Sequence, residues 1–471
     1  MQGAEEEFSA IKNDFKSIVL DFVERGAKGI IRKSSMDLGI SCVSIIQLIN
    51  IAHSLDVTFT PEKASAITKY LLHCLARIKS EPEYSGGMRG NHYFSNICAQ
   101  IFIHLSFTPR SRERHPNVDA LLKEFERELH YQFGLDGGNF EASLSYNFFT
   151  LEMAINTINY IEDKLPDLKF LLRVEKKFQQ IAAFALQFKD ISEIPLVGDN
   201  DSGYFLRRLP PKLTWKSGKI YCDVNDRRYL FDMIENRFND LKFEPGCVWN
   251  LNFDFGLHTY NAEKYFLTMR CGSVGQRGKG GHAHNDQLSI TLHILNKAII
   301  VDPGVFRYSY SGSERNLYRS TALHNVMQTN SLEQNPIPSS LPDDIFWLKD
   351  RARARIDKSD GDTIKGAHRG FGQECSREIF AGKDEIRVKD ICKIKSVKDI
   401  RLHLHPDCTI KFVSSNSVLV ERADASIQIS FQNNIAIEDY EYCPEYGVKI
   451  PSKRLKASCE ENEITWFISI K

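Results

Sequence analysis

Two histidines stand two residues apart in Gly280-Gly281-His282-Ala283-His284-Asn285-Asp286, behind a glycine-rich approach and ahead of an alternating apolar run from Leu288 to Ile300. Residues two apart on a strand face the same side. The spacing therefore predicts that His282 and His284 address one site together. Asp302, in Val-Asp-Pro-Gly, and His324, in Ser-Thr-Ala-Leu-His-Asn, follow as two more possible ligands. Imidazole nitrogens with one carboxylate suit zinc. A lone His-x-His pair on a half-buried strand more often packs and hydrogen-bonds than binds metal. The later Asp and His shift the balance toward a site.

Other polar clusters sit in the first half of the chain. Gly90-Asn91-His92-Tyr93-Phe94 opens an apolar helical run, which sets Asn91 and His92 near a helix N-terminus, where the dipole favours an anion. Taken alone, Asn91 reads as an N-cap. Asp136-Gly137-Gly138-Asn139-Phe140-Glu141-Ala142-Ser143 leads from a glycine turn into a helix and puts Tyr146 in its first turn, where a tyrosine usually packs. Pro195-Leu196-Val197-Gly198-Asp199-Asn200-Asp201-Ser202-Gly203 is rich in turn formers and acids. It reads as the hinge side of a cleft, and Asx-turn chemistry explains it about as well.

The elements that must carry these clusters change character along the chain. Up to about residue 189 apolar residues recur at helical spacing: Phe8, Ile11, Phe15, Ile18 and Phe22, then Val43, Ile46 and Ile51, then Ile67, Leu71 and Leu75. Further helices are expected near 91–106, 117–132, 143–163 and 167–188. Beyond about residue 250 the period becomes two, as in 298–301, 385–390, 409–413, 426–431 and 463–470, the pattern of an antiparallel β-sandwich. A chain of 471 residues is too long for one ordinary core. The expectation is an α+β multidomain protein, with a helical domain over 1–240 and a sandwich over 241–471.

Composition narrows the function classes. Lys+Arg and Asp+Glu both number 61, so no bulk charge directs the chain to nucleic acid or to an anionic membrane. No run is expected to be long enough to span a bilayer. The acidic start, Met-Gln-Gly-Ala-Glu-Glu-Glu-Phe, lacks the basic and apolar regions of a secretory signal. A cytoplasmic setting is expected, or a periplasmic one if a leader has been removed. Eleven cysteines without a Cys-x-x-Cys read as scattered reduced thiols.

Taken in order, the motifs carry more than any one of them. Gly-Asn-His-x-x-x-Asn, Asp-Gly-Gly-x-Phe-Glu-x-Ser-x-x-Tyr, Gly-Asp-Asn-Asp-Ser-Gly, Gly-Gly-His-x-His-x-Asp, Val-Asp-Pro-Gly and Arg-Ser-Thr-Ala-x-His-Asn follow one another over roughly residues 35–430. The series resembles the heparinase II/III family of polysaccharide lyases, with its alginate-lyase relatives. That resemblance implies an N-terminal incomplete (α/α) toroid of helices followed by a C-terminal antiparallel β-sandwich. It also implies β-elimination on an acidic polysaccharide or oligosaccharide containing uronic acid.

The chemistry makes sense of the residue types. Removing the weakly acidic C5 proton of a uronosyl residue requires the adjacent carboxylate to be neutralised, so that charge can collect there. A base then takes the proton and an acid protonates the departing O4. The resemblance assigns Asn91, His92 and His282 to the carboxylate, Tyr146 to proton transfer, Tyr310 to a second tyrosine role, and His284, Asp302 and His324 to a structural zinc. Arg89, Asn147 and Arg315 are candidate substrate contacts. Asn147 stands where many members carry histidine, which removes one potential base. A metal-dependent glycan hydrolase and a non-catalytic glycan-binding protein of a surface-polysaccharide pathway are the alternatives. An oligomer is compatible with the sequence.

Overall fold

The computed structural model describes residues 12–471 apart from 22, 26–32, 85–86, 108–115, 166–167, 208–211, 217–218, 224–226, 242, 244–245, 309–311 and 339–344. These form two compact units: residues up to 132 with 149–178 and 204–208, and residues 133–148 with 179–203 and 209–471.

The first unit is built from helices, in chain order α1 (residues 12–21), α2 (Ser35–Ser54), α3 (Pro61–Ser80), α4 (Asn91–Phe107) and α5 (Pro116–Gln132). Most of α6 (Leu144–Lys164) and the first half of α7 (Leu168–Leu186) complete it. Local chemistry sets the starts. Ser34 accepts the Asp37 amide at 3.1 Å while the Asp37 carboxylate accepts the Ser34 amide at 3.2 Å, a reciprocal capping box. Thr60 caps α3 ahead of Pro61, whose missing N–H costs nothing in a first turn. The buried stripe of α3, Ile67, Tyr70, Leu71, Cys74, Leu75 and Ile78, follows the helical period. Helix α4 packs against α2, α3 and α5. The expectation that no run could span a bilayer needs correcting: α2 has 20 residues and a mean hydropathy of 1.5, enough by length and composition. Leu38, Cys42, Val43, Ile45 and Ile46 of α2 are buried, so its apolarity serves packing.

The second unit is mainly antiparallel sheet. A hairpin, β1 (Lys212–Lys216) and β2 (Lys219–Asp223), precedes helix α8 (Arg228–Arg237). Five strands then form one sheet in sequence order: β3 (Trp249–Asn250), β4 (Leu257–Asn261), β5 (Tyr265–Arg270), β6 (Ile290–Ile294) and β7 (Lys297–Ile300). A four-stranded sheet pairs β8 (Met327–Thr329) with β13 (Lys398–His403), β18 (Ile450–Cys459) and β17 (Ile435–Tyr442). The largest sheet has eight strands, with β12 (Glu385–Cys392) between β11 (Cys375–Ala381) and β19 (Glu463–Ile470) at its centre. One face of β12 and β19 is buried at alternate residues, and all of β6 is buried. Leu292, Val388, Leu402 and Trp466, from the three larger sheets, share one core. The expected architecture of helical array then antiparallel sandwich is thus present, and the expected strands at 385–390 and 463–470 fall inside β12 and β19.

The thiols depart from expectation. Cys375 and Cys392 lie directly opposite on β11 and β12 and are joined as a disulfide, because register sets their Cα atoms 4.4 Å apart. Sequence spacing says nothing of register. Eight other described cysteines are free.

Candidate active site

The His282–His284 segment is not a strand. Gly280 takes a φ of +63°, a conformation that favours glycine, and the chain stays irregular until β6 begins at Ile290. The two histidines consequently do not share one site as their spacing suggested. His282 turns toward Tyr146 and His284 toward Asp302 and His324, while one carboxylate, Asp199, holds both. Its Oδ2 lies 3.0 Å from His282 Nδ1 and its Oδ1 lies 3.1 Å from His284 Nε2.

Asp199 reaches this position because its loop is wedged into the unit. Gly198 has a φ of +76°, and a Cβ there would fall 2.8 Å from the His282 carbonyl and 2.9 Å from Ser143 Cα. The Asp199 amide donates to the His282 carbonyl at 3.0 Å. Ser143 donates from Oγ to the Asp199 carbonyl at 2.6 Å and accepts the Tyr146 amide at 3.3 Å. The motif serine therefore caps the helix that carries Tyr146 and ties that helix to the loop that carries Asp199.

Tyr146 stacks on His282 with ring centroids 3.8 Å apart and planes inclined by 19°. Its hydroxyl donates to Asp201 Oδ2 at 3.0 Å and lies 2.5 Å from the Tyr308 hydroxyl. His282 Nε2 is 3.3 Å from Glu141 Oε2, so both ring nitrogens face carboxylates. Arg315, fully buried on the short helix α9 (Gly312–Tyr318), donates to Asp199 Oδ2 and to the Gly281 carbonyl, each at 2.6 Å. Burial pushes the Tyr146 phenol well above its ordinary range, and Asp201 and Tyr308 push it the same way. Burial and the Asp201 and Asp199 carboxylates also push Tyr308 up. Both therefore rest as phenols, poised to give or relay a proton.

Burial would raise the Asp199 carboxyl, but Arg315, His282 and His284 hold it well below the usual carboxylate range. A lowered folded-state pKa stabilises the fold above the unfolded value, about 3.9, and that contribution is lost as pH falls through the folded value. Arg315→Met, which leaves a buried carboxylate uncompensated, is expected to cost about 3–5 kcal/mol at neutral pH. Urea unfolding at pH 7 checks this; a cost under 1 kcal/mol would show that the pair does not hold the loop.

The remaining predicted residues fall in three groups. Tyr310 lies outside the described residues; Tyr308, two positions earlier, is the tyrosine that meets Tyr146. Asn91, His92 and Arg89 belong to the first unit. Asn91 is buried at the start of α4, His92 Nδ1 lies 3.0 Å from Glu83, and Arg89 Nε pairs with buried Glu128 at 3.0 Å. Asn147 is buried and accepts the Asn139 amide at 2.7 Å, and Arg315 is committed to Asp199, so both hold the backbone of the site. Glu141, Asp199, Asp201 and Tyr308 went unassigned in the sequence. The Gly-Asp-Asn-Asp-Ser-Gly motif was the signal for two of them, read there as the hinge side of a cleft or, equally, as Asx-turn chemistry.

Behind His282 lies a second cluster. Ligand atoms of buried His284, Asp302 and His324 all fall within 4.8 Å of one another, the group among the described residues able to hold a metal. His324 Nδ1 is 2.8 Å from Asp302 Oδ2. His284 Nδ1 and His324 Nε2 are buried with no hydrogen-bond partner. Orphaned imidazole nitrogens beside a carboxylate fit a cation, and the Asp199 contact to the other nitrogen of His284 is the outer support that ligating histidines usually have. Asn325 bonds the Ile290 and Val301 carbonyls at 2.7 and 2.8 Å, anchoring the His324 turn beside β6 and β7. Another His-x-His, His403 and His405, is buried, and His403 Nδ1 lies 3.0 Å from Asn325 Oδ1.

Tyr146, in the first turn of α6, thus meets His282 of the glycine-rich loop beside the buried His284, Asp302 and His324 cluster. Residues 253–466 match the family model described as heparinase II/III-like, C-terminal. Solved structures extend the likeness of fold over more than nine-tenths of the chain. Heparan sulfate lyase HepC from Pedobacter heparinus has a TM-score of 0.60 at 17% identity, over 92% of this chain and 68% of that one. A heparinase III gives 0.66 at 14% identity, over 93% and 69%. A chondroitinase AC lyase gives 0.53 at 11% identity, over 92% and 67%. At such identities the likeness is one of fold. Among curated proteins none matches the chain.

Proposed function

We propose that this protein is a polysaccharide lyase that cleaves a uronic-acid-containing polysaccharide by β-elimination. The observation that carries the reading is the Tyr146 hydroxyl, hydrogen-bonded to Tyr308 and Asp201 and stacked beside His282. Proton transfer at C5 and O4 needs such a group, and two phenols in contact can serve both positions. The family match and the fold shared with heparan sulfate and chondroitin AC lyases support a glycosaminoglycan-type substrate. Incubation with a panel of glycosaminoglycans and polyuronates, followed by ultraviolet absorbance of the 4,5-unsaturated product, tests it. No absorbance from any of them would end the lyase reading.

His282 is the proposed contact to the substrate carboxylate. Losing one donor to a developing anion costs roughly 10²–10³-fold in rate. His282→Ala should therefore slow cleavage of a uronate sharply and affect a carboxyl-esterified substrate much less, compared through kcat on both. Equal losses would point to general positioning instead.

The cation proposed for His284, Asp302 and His324 is zinc, on the strength of two imidazoles and one carboxylate. Its chemistry there is cross-linking. All three residues are at most 2% exposed, which favours a closed structural site over the open position that a metal-bound nucleophile requires.

A further inference from the structure

The hydroxyl contacts of Tyr146 have a direction. A phenol carries one hydrogen, and that of Tyr146 is donated to Asp201 Oδ2 at 3.0 Å. The 2.5 Å contact with Tyr308 must then be donated by Tyr308. Donation runs from Tyr308 through Tyr146 to Asp201. The far oxygen of Asp201, Oδ1, accepts the Gly203 amide at 2.8 Å, so the receiving carboxylate is fixed by its own turn. A carboxylate at the end of such a chain is a place for a proton to go.

We infer that Asp201 takes the Tyr146 phenol proton as Tyr146 removes the C5 proton, so that a phenol–carboxylate pair is the base of the elimination. The inference rests on the lyase reading. A phenolate formed beforehand would stand next to the Asp201 anion, with Asp199 also near, His282 stacked on the ring, and Arg315 5.6 Å from the centre of the Tyr308 ring. Adjacent like charges disfavour that state. Moving the phenol proton to Asp201 in the same step means that the pair never carries two negative charges, and the charge passes to the enolate.

The step balances. The C5–H bond breaks, its proton joins Tyr146 Oη, the phenol proton joins Asp201 Oδ2, and the electron pair passes into the substrate carboxyl as an enolate. Collapse of the enolate forms the C4–C5 double bond and breaks C4–O4. The departing oxygen takes the Tyr308 proton, and Tyr308 is refilled from Tyr146 as Asp201 returns its proton. Asp201 touches no substrate atom in this scheme and acts through Tyr146 as a positioning residue.

The test compares Asp201→Asn and Asp201→Glu with the wild type on whichever polyuronate the wild type cleaves. Asp201→Asn should lower kcat by about 10²–10⁴-fold with little change in KM. Its residual rate should climb steadily with pH, because the phenol must then ionise unaided, whereas Asp201→Glu should recover most of the rate and the wild-type pH profile. Ultraviolet titration of the folded proteins should also show a phenol ionising at lower pH in Asp201→Asn, where a facing anion is gone. An Asp201→Asn rate within tenfold of the wild type, or a slow variant with an unchanged pH profile, overturns the inference while leaving the lyase reading intact. An unshifted phenol titration overturns it as well. No unsaturated product from the wild type overturns both.

Discussion

Replacing Tyr146 with phenylalanine is expected to lower turnover by about 10²–10⁴-fold, the usual contribution of a general acid or base. The change removes one oxygen and little volume from a site where the ring is already held by its stack on His282. Substrate affinity and thermal midpoint should therefore stay close to the wild type. The loss should appear in kcat for unsaturated product, measured at saturating substrate. Full turnover by the variant would move proton transfer to Tyr308 or His282 and remove Tyr146 from the chemistry. Because Tyr146 links Tyr308 to Asp201, Tyr146→Phe and Asp201→Asn should also be non-additive: a double variant little slower than Tyr146→Phe alone is the signature of one proton path.

Stripping the His284, Asp302 and His324 cluster of its cation should have the largest effect on stability. A ligand bound only by the folded state adds about 4 kcal/mol when its free concentration is a thousand times its Kd. In a unit of this size that corresponds to a fall of roughly 10 °C in midpoint on chelation. Calorimetry with and without chelator, beside metal analysis of protein purified without one, measures both occupancy and effect. His284→Ala should reproduce the fall and abolish the response to chelator. Because Asp199 bridges His284 to His282, activity should decline with loop order rather than at once. A chelated protein that keeps its midpoint yet loses all turnover would instead favour a metal-dependent hydrolase. Absence of stoichiometric zinc would withdraw the metal from the account.

Much of the fold was legible in the residues because periodicity is local. The expected helix at 117–132 is Pro116–Gln132 and that at 143–163 is Leu144–Lys164, since each carries a repeating apolar stripe and a recognisable start. Strands such as Ala425–Ser430 and Glu463–Ile470 were equally plain, having one buried face each. Helix Ser35–Ser54, read from Val43, Ile46 and Ile51, has about half its length buried, and that packing accounts for an apolarity that by composition also suits a membrane span.

What the sequence determined by itself was the inventory of the site: a tyrosine in the first turn of a helix, a histidine pair after glycines, and a later Asp and His in ligand order. What only the tertiary structure decided was who meets whom. His282 and His284 part because the chain at Gly280 is left-handed and irregular, so the two-residue rule for strands does not apply. Tyr308 meets Tyr146 across 162 positions. Asp199 and Asp201, whose spacing is that of any Asx-rich turn, become the supports of both clusters only because Gly198 lets their loop press against His282 and Ser143. Helical and strand periods are written in neighbouring residues, whereas a proton path or a ligand set depends on distances that arise only when far-apart segments pack.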